Sequence, residues 1–153
     1  MATSSLPSSL RPSLLLRSNS KLIIQYKPMS HFVTIQTQIR DLEALRDACA
    51  ELGVELLANA QARGFNGALI QADHVIRLKG PYDVAVQASP EQNLELSTDW
   101  WNGHVAAEVG PHYGRLLQLY AVHKTTREAR RKRLSVRRRQ EQDGSIKLIL
   151  GGV

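Results

Sequence analysis

The sequence predicts an α+β domain, a mostly antiparallel β-sheet of about five to seven strands with two main amphipathic helices on one face, and three observations predict it. The run from Met29 to Gly53 reads as a strand followed at once by a helix. Between Ala68 and Trp100, three period-two runs are separated by turn residues, as hairpin-connected strands require. From Pro111 a second helical period sets in, and two short alternating runs then close the chain as a hairpin. A chain of 153 residues with 42% hydrophobic content fits one domain, since chains of this size bury roughly 70% of their unfolded surface.

In the first strand Val33, Ile35, Thr37 and Ile39 fall on one side, and Thr34, Gln36 and Gln38 on the other. Asp41 can accept from the free N–H groups of the first helical turn. Leu42, Leu45, Cys49 and Leu52 recur at helical spacing, and Gly53 supplies the left-handed terminator. Val54 to Ala60 makes a second strand, and Arg63-Gly64-Phe65-Asn66-Gly67 a turn whose Asn-Gly pair accepts positive φ. A long strand follows in which Ile70, Ala72, His74, Ile76 and Leu78 alternate with Gln71, Asp73, Val75, Arg77 and Lys79. Gly80-Pro81-Tyr82-Asp83 has turn chemistry, Val84, Val86 and Ala88 mark the next strand, and Ser89 to Asn93 turn again. Leu94, Leu96, Thr98 and Trp100 continue the alternation; one of Trp100 and Trp101 then belongs to the core and the other lies outside or beneath a helix. Tyr113, Leu116, Leu117 and Tyr120 define the second helix, which runs on into cationic residues from Lys124. Leu134 and Val136, a turn at Gln142-Asp143-Gly144-Ser145, and Ile146, Leu148 and Leu150 form the final hairpin. With both helices on one face, the other face of the sheet is left to water, the N-terminal segment or a partner.

Several of these stretches resemble a known family. The run MSHFVTIQTQIRDLEAL from Met29 resembles the opening of a small uncharacterised family of cyanobacteria and algal plastid genomes. It is the conserved hypothetical chloroplast reading frame thirty-five, also described as domain of unknown function twelve fifty-seven. Arg63-Gly64-Phe65, Gly80-Pro81-Tyr82-Asp83, Asp99-Trp100-Trp101, the Tyr113 to Tyr120 helix and Asp143-Gly144-Ser145-Ile146 carry the resemblance on, so that it covers 29 to 153. The family has no assigned reaction, so the resemblance implies no catalytic role for any residue. It does imply a photosynthetic lineage, and with it the cyanobacterial cytoplasm or the plastid stroma. Two departures are the 28 residues before Met29 and a basic tract heavier than the family pattern.

The formal charge of +6 is unevenly distributed. Residues 1–28 hold Arg11, Arg17, Lys21 and Lys27 and no acid, which leaves 16 basic against 14 acidic residues beyond them. Residues 124–139 hold nine basic residues and one acid, Glu128; the remainder from 29 onward holds seven against thirteen. The domain is therefore bipolar. Residues 1–28, Ser-rich and acid-free, lack core periodicity and are expected to be a disordered leader ahead of a single domain at 29–153. Two readings of that leader stand: an organelle transit peptide, or an assigned start upstream of a true one at Met29. The second is favoured, because 28 residues is short for a plastid leader. Cys49, the single cysteine, excludes an intramolecular disulfide and sits on the apolar stripe of the first helix. No run approaches the roughly 20 apolar residues needed to cross a bilayer.

Two candidate sites emerge. The first is a partner- or anion-binding tract of Lys124, Arg127, Arg130, Arg131, Lys132, Arg133, Arg137, Arg138 and Arg139. It suits an anionic protein partner best; nucleic acid is the alternative, weakened because 124–139 contain no aromatic residue to stack a base. Acidic residues such as Glu51, Glu55, Asp73 and Glu91 could instead neutralise it within the domain or across a homodimer. The second is a small-molecule pocket of Trp100, Trp101, His104, His112 and Tyr113, which would make the alternative function a small-ligand protein or an enzyme. His104, His112 and His123 match no metal-ligand spacing, and Cys49 reads as buried, so no metal, cofactor or catalytic residue is assigned. The loop Gly64-Phe65-Asn66-Gly67 has the Gly-x-x-Gly form that clamps nucleic-acid backbones, but strands rather than helices flank it. Gly151-Gly152 is followed by Val153, unlike the tail of ubiquitin-like sulfur carriers. The sequence thus points to a non-enzymatic binding or assembly factor.

Overall fold

Helix α1 (Leu42–Leu52) begins and ends where its sequence signals lie: Asp41 Oδ1 accepts from the Ala44 N–H at 3.1 Å, and Gly53 terminates it at φ 79°. The computed structural model describes the backbone of Ile24–Tyr26 and residues 32–152. Around α1 stand β1 (Ile24–Tyr26), β2 (Val33–Gln36), β3 (Glu55–Arg63), β4 (Leu69–Arg77), β5 (Val84–Ala88) and β6 (Leu94–Thr98). After them come a single-turn α2 (Ala106–Val109), the long α3 (Gly114–Arg131), β7 (Ser135–Gln140) and β8 (Ile146–Gly151). The first six strands form one antiparallel sheet in the order β1-β2-β6-β5-β4-β3, and β7 and β8 form a separate hairpin. The fold is α+β, as the sequence predicts.

Ile24–Tyr26 belong to the stretch expected to be disordered, yet their backbone pairs with β2 from Ile24↔Ile35 to Tyr26↔Val33. Without them β2 would present an open ladder edge, whose N–H and C=O groups attract any strand within reach. The rest of 1–31 lies outside the described residues.

One face of the sheet carries both long helices. Ile35, Ile76, Val84, Val86 and Leu96 meet Leu45, Ala48 and Cys49 of α1 and Leu116, Leu119 and Tyr120 of α3. Burial pushes the Cys49 thiol up to about 12, so it remains a protonated, inert packing group. The Tyr120 hydroxyl accepts from the N–H groups of Arg40 and Asp41 at 3.2 and 3.1 Å, tying α3 to the start of α1.

The opposite face covers itself. Arg77 pairs with Glu55 at one end of the β3–β4 hairpin and Arg63 with Leu69 at the other, so a straight hairpin would hold Arg63 and Arg77 roughly 27 Å apart. Both guanidinium groups nevertheless reach one carboxylate, that of Asp83. The hairpin must therefore fold back on itself. The ladder breaks once, between Ala58↔His74 and Ala60↔Ala72, and Asn59 stands at that break with φ 50°. Folded over in this way, Ala62 and Ala72 close with Phe32 upon Val75 and Ala85 as a second small core. This is where the alternation misleads: Val75 falls among the polar positions of β4 yet is fully buried, because the folded hairpin makes that face an interior. Ala72 joins the second core while Ile76 and Leu78 join the first, so the apolar positions of β4 do not share one face.

Candidate functional site

Beyond Val122 the one buried residue of α3 is Ala129, and the last two turns otherwise present Lys124, Arg127, Arg130 and Arg131. A tight exit follows, in which Lys132 N–H and Leu134 N–H bond back to Ala129 O at 3.1 and 2.9 Å and Arg133 takes φ 62°. The chain then enters β7, whose Arg137, Arg138 and Arg139 alternate across the hairpin. Helix end and hairpin thus bring all nine predicted cations to one end of the molecule.

Four of the nine are used internally. Arg127 reaches Asp47 on α1 through Nε and Nη2 at 2.5 and 3.1 Å, and Arg138 reaches Glu51 through Nη2 and Nη1 at 2.5 and 2.9 Å. Such forked pairs are the strong form of the interaction. Lys124 pairs with Glu128 one turn on at 3.1 Å, and Arg139 with Glu141 at 2.9 Å. Glu51 also meets His123 at 2.8 Å, so one carboxylate clamps α1 to both α3 and β7. Of the acids named as possible neutralisers, Glu51 alone serves; Asp47, which was not among them, does the same for Arg127. Arg130, Arg131, Lys132, Arg133 and Arg137 are exposed and make no ion pair within 4.0 Å among the described residues. Arg130 and Arg131 flank an open cleft between α1 and α3 floored by Asp47, Glu51 and His123.

The hydrogen bonds from Arg138, then those from His123, hold the Glu51 carboxyl down to about 2, against an ordinary 4.5. Its folded value is depressed, so the clamp's contribution is complete above pH 4.5 and is lost as pH falls from there towards 2. Acid titration of stability should therefore be shallower between pH 4.5 and 2 for Glu51→Gln than for wild type, with the hairpin amides losing exchange protection first in the wild type. Equal slopes would mean that the clamp contributes nothing.

The aromatic group divides, with Trp100, His112 and Tyr113 together and Trp101 and His104 against other rings. His104 stands edge-on to Tyr82 at 5.2 Å and Trp101 edge-on to Phe65 at 5.3 Å, while Trp100 packs on Tyr113 at 4.8 Å and lies 6.4 Å from His112. β6 stops at Thr98, and Trp101–Gly103 form a 3-10 turn, so the two tryptophans diverge: Trp100 packs against the core and Trp101 is 54% exposed. His112 lines a second open cleft, between the start of α3 and the turn of the β7–β8 hairpin, with Arg115, Gln118 and Ser145. Tyr113 is buried at φ 64°, and its hydroxyl has no hydrogen-bond partner among the described residues.

Sequence reasoning missed the polar groups that shape this end of the sheet. Asp83, fully buried, accepts from Arg63 N, Nε and Nη2, from Arg77 Nη1 and from Leu78 N at 2.8–3.1 Å. Asp99, 2% exposed, accepts from Phe65 N–H and Trp101 N–H, both at 2.9 Å, and so fixes the backbone beneath the two aromatic rings. Glu108 accepts from Lys79 and Gly80 N–H at 2.8 Å, pinning α2 to the turn. The available signal was Asp83 itself, set between Tyr82 and Val84 at the head of an apolar strand, where a carboxylate has no route to water. Among the described residues no cluster of three His, Cys, Asp or Glu side chains could hold a metal ion, and no helix is long and apolar enough to cross a membrane.

Compared with known proteins, residues 48–149 match the model of a family described as "Protein of unknown function (DUF1257)". The matched span includes Arg63-Gly64-Phe65, Asp83, Asp99-Trp100-Trp101 and the whole cationic tract; the opening run from Met29 to Leu45 lies ahead of it. No curated protein and no solved structure matches the chain.

Proposed function

We propose that this chain, which belongs to the DUF1257 family of proteins of unknown function, is a non-enzymatic docking or assembly factor that holds an anionic protein on its C-terminal end. The observation that carries the reading is the set of five exposed cations, Arg130, Arg131, Lys132, Arg133 and Arg137, left over once the internal ion pairs are counted. A protein is favoured over nucleic acid because Ile149 and Leu150 are 38% and 45% exposed on the same hairpin, giving a mixed apolar and cationic surface. Proposed with it is a setting in a photosynthetic cell, the cyanobacterial cytoplasm or the plastid stroma, which is where such a partner would be sought.

The test is capture from a photosynthetic-cell extract, with and without nuclease, using wild type and a variant carrying Arg130→Glu, Arg131→Glu and Arg133→Glu. Capture by the variant should fall at least tenfold while its melting temperature stays put, since exposed substitutions usually cost within roughly 0.5 kcal/mol each. Nuclease-sensitive capture with a steep negative salt slope would identify nucleic acid instead. Unfolding of the variant, with nothing captured by the wild type, would sink the docking reading.

A further inference from the structure

We infer that the partner docks by adding an acidic extended segment, antiparallel, to the free edge of β7. This deepens the docking reading and rests on it. The β7–β8 hairpin is a sheet of two strands, so among the described residues each strand has one side with no strand beside it. Glu141 N–H donates to Ser145 O at 2.9 Å at the turn, and hydrogen-bonded and non-bonded pairs alternate along an antiparallel ladder. By that alternation Ser135, Arg137 and Arg139 spend their backbone groups on Gly151, Ile149 and Lys147. Val136, Arg138 and Gln140 direct theirs away from β8, and no turn, cap or loop bond takes them up among the described residues.

Side chains on this strand divide the same way. Arg138 turns inward to Glu51, while Ser135, Arg137 and Arg139 line the outward face, with the two arginines about 7 Å apart. A second copy of the chain is a poor occupant, because like charges set opposite each other destabilise a strand pair. A foreign strand with acids at every second residue meets Arg137, which has no ion pair among the described residues, and Arg139, whose exposed pair with Glu141 it would share, and fills the open ladder at once. Arg130 and Arg131 at the helix end, and Arg133 in the turn that leads into β7, extend the same field towards the incoming segment.

The probe is the acetylated, amidated heptapeptide Thr-Glu-Val-Glu-Val-Glu-Thr, titrated into the full chain. In the antiparallel register its three glutamates sit opposite Arg139, Arg137 and Ser135 with their N–H groups pointing away, its two valines send theirs to Arg138 and Val136, and its first threonine sends its own to Gln140. Methylating the two valine amides should weaken binding at least tenfold, whereas methylating the three glutamate amides should leave it within twofold. Hydrogen exchange at Val136, Arg138 and Gln140 should slow when the parent peptide is bound. If both methylated peptides bind as well as the parent, charge alone holds the segment; strand addition is then wrong while docking on the cationic end stands. If no peptide binds although the extract partner is captured through Arg130, Arg131 and Arg133, the inference also fails and the docking reading survives. Failure of both the peptide and the extract capture overturns the two together.

Discussion

Asp83→Asn should destabilise the chain by about 3 kcal/mol in chemical denaturation, the low end of what removing one partner of a buried ion pair costs. The carboxylate is fully buried and serves two guanidinium groups and two backbone N–H groups. The low end applies because the side chains of Arg63 and Arg77 are 38% and 31% exposed, so each cation recovers part of its hydration when the charge opposite disappears. The N–H groups of Arg63 and Leu78 have no such recourse. The damage should also have a place: Arg63 holds the end of the folded β3–β4 hairpin against Leu78 O and Gly80 O as well as Asp83. Hydrogen exchange should therefore rise first across 59–73, the part of the hairpin beyond its bend. Glu91→Gln, exposed and in no ion pair among the described residues, is the control and should change stability by less than roughly 0.5 kcal/mol. Melting of Asp83→Asn alongside that control would show that the carboxylate does not fasten the hairpin.

The contrast between Asp83 and α1 explains what could be read in the residues beforehand. A helix is written locally: Asp41, Leu45, Cys49 and Gly53 lie within one stretch, and each acts on neighbours three or four positions away. The same holds for the turns at Asn66-Gly67 and Asp143-Gly144, where the conformation is a property of the residues themselves. The folded hairpin is not local. Its bend is visible only as an asparagine in an apolar strand, and its fastening joins Arg63 to a carboxylate 20 positions on. Alternation could place Val75 on a face, but not say that the far half of the same hairpin would cover it. The cationic tract was fully legible as composition. Which of its members remain unpaired was not, because Asp47 and Glu51 face it from a helix 80 and 87 positions away. Of the aromatic residues of 100–113, Trp100, His112 and Tyr113 come together while Trp101 and His104 turn to Phe65 and Tyr82, since the 3-10 turns at 101–103 and 111–113 redirect the chain between them.

Gly110→Ala is the substitution expected to rival Asp83→Asn, at about 3 kcal/mol, by a different route. Gly110 ends α2 and opens the turn into α3 at φ 85° and ψ 157°, a backbone region essentially confined to glycine and costing others roughly 1–3 kcal/mol. A methyl group there would also stand 2.7 Å from the backbone nitrogen and 3.2 Å from the Cβ of Arg115. Backbone cannot rotate aside as a side chain does, so the first turn of α3 would have to move, and with it Tyr113, fully packed and edge-on to Trp100. Two other alanine variants separate these causes. Gly67→Ala, at φ 78° with nothing within 4 Å, carries backbone strain alone and should cost about 1 kcal/mol. Gly64→Ala, at an ordinary φ of −142°, brings its methyl to 2.7 Å from the Phe32 ring and carries overpacking alone, about 1–3 kcal/mol. Denaturation midpoints should place Gly110→Ala below both. Parity with Gly67→Ala would mean that α3 shifts at no cost, and the close approach to Arg115 would then carry none of the constraint assigned to it.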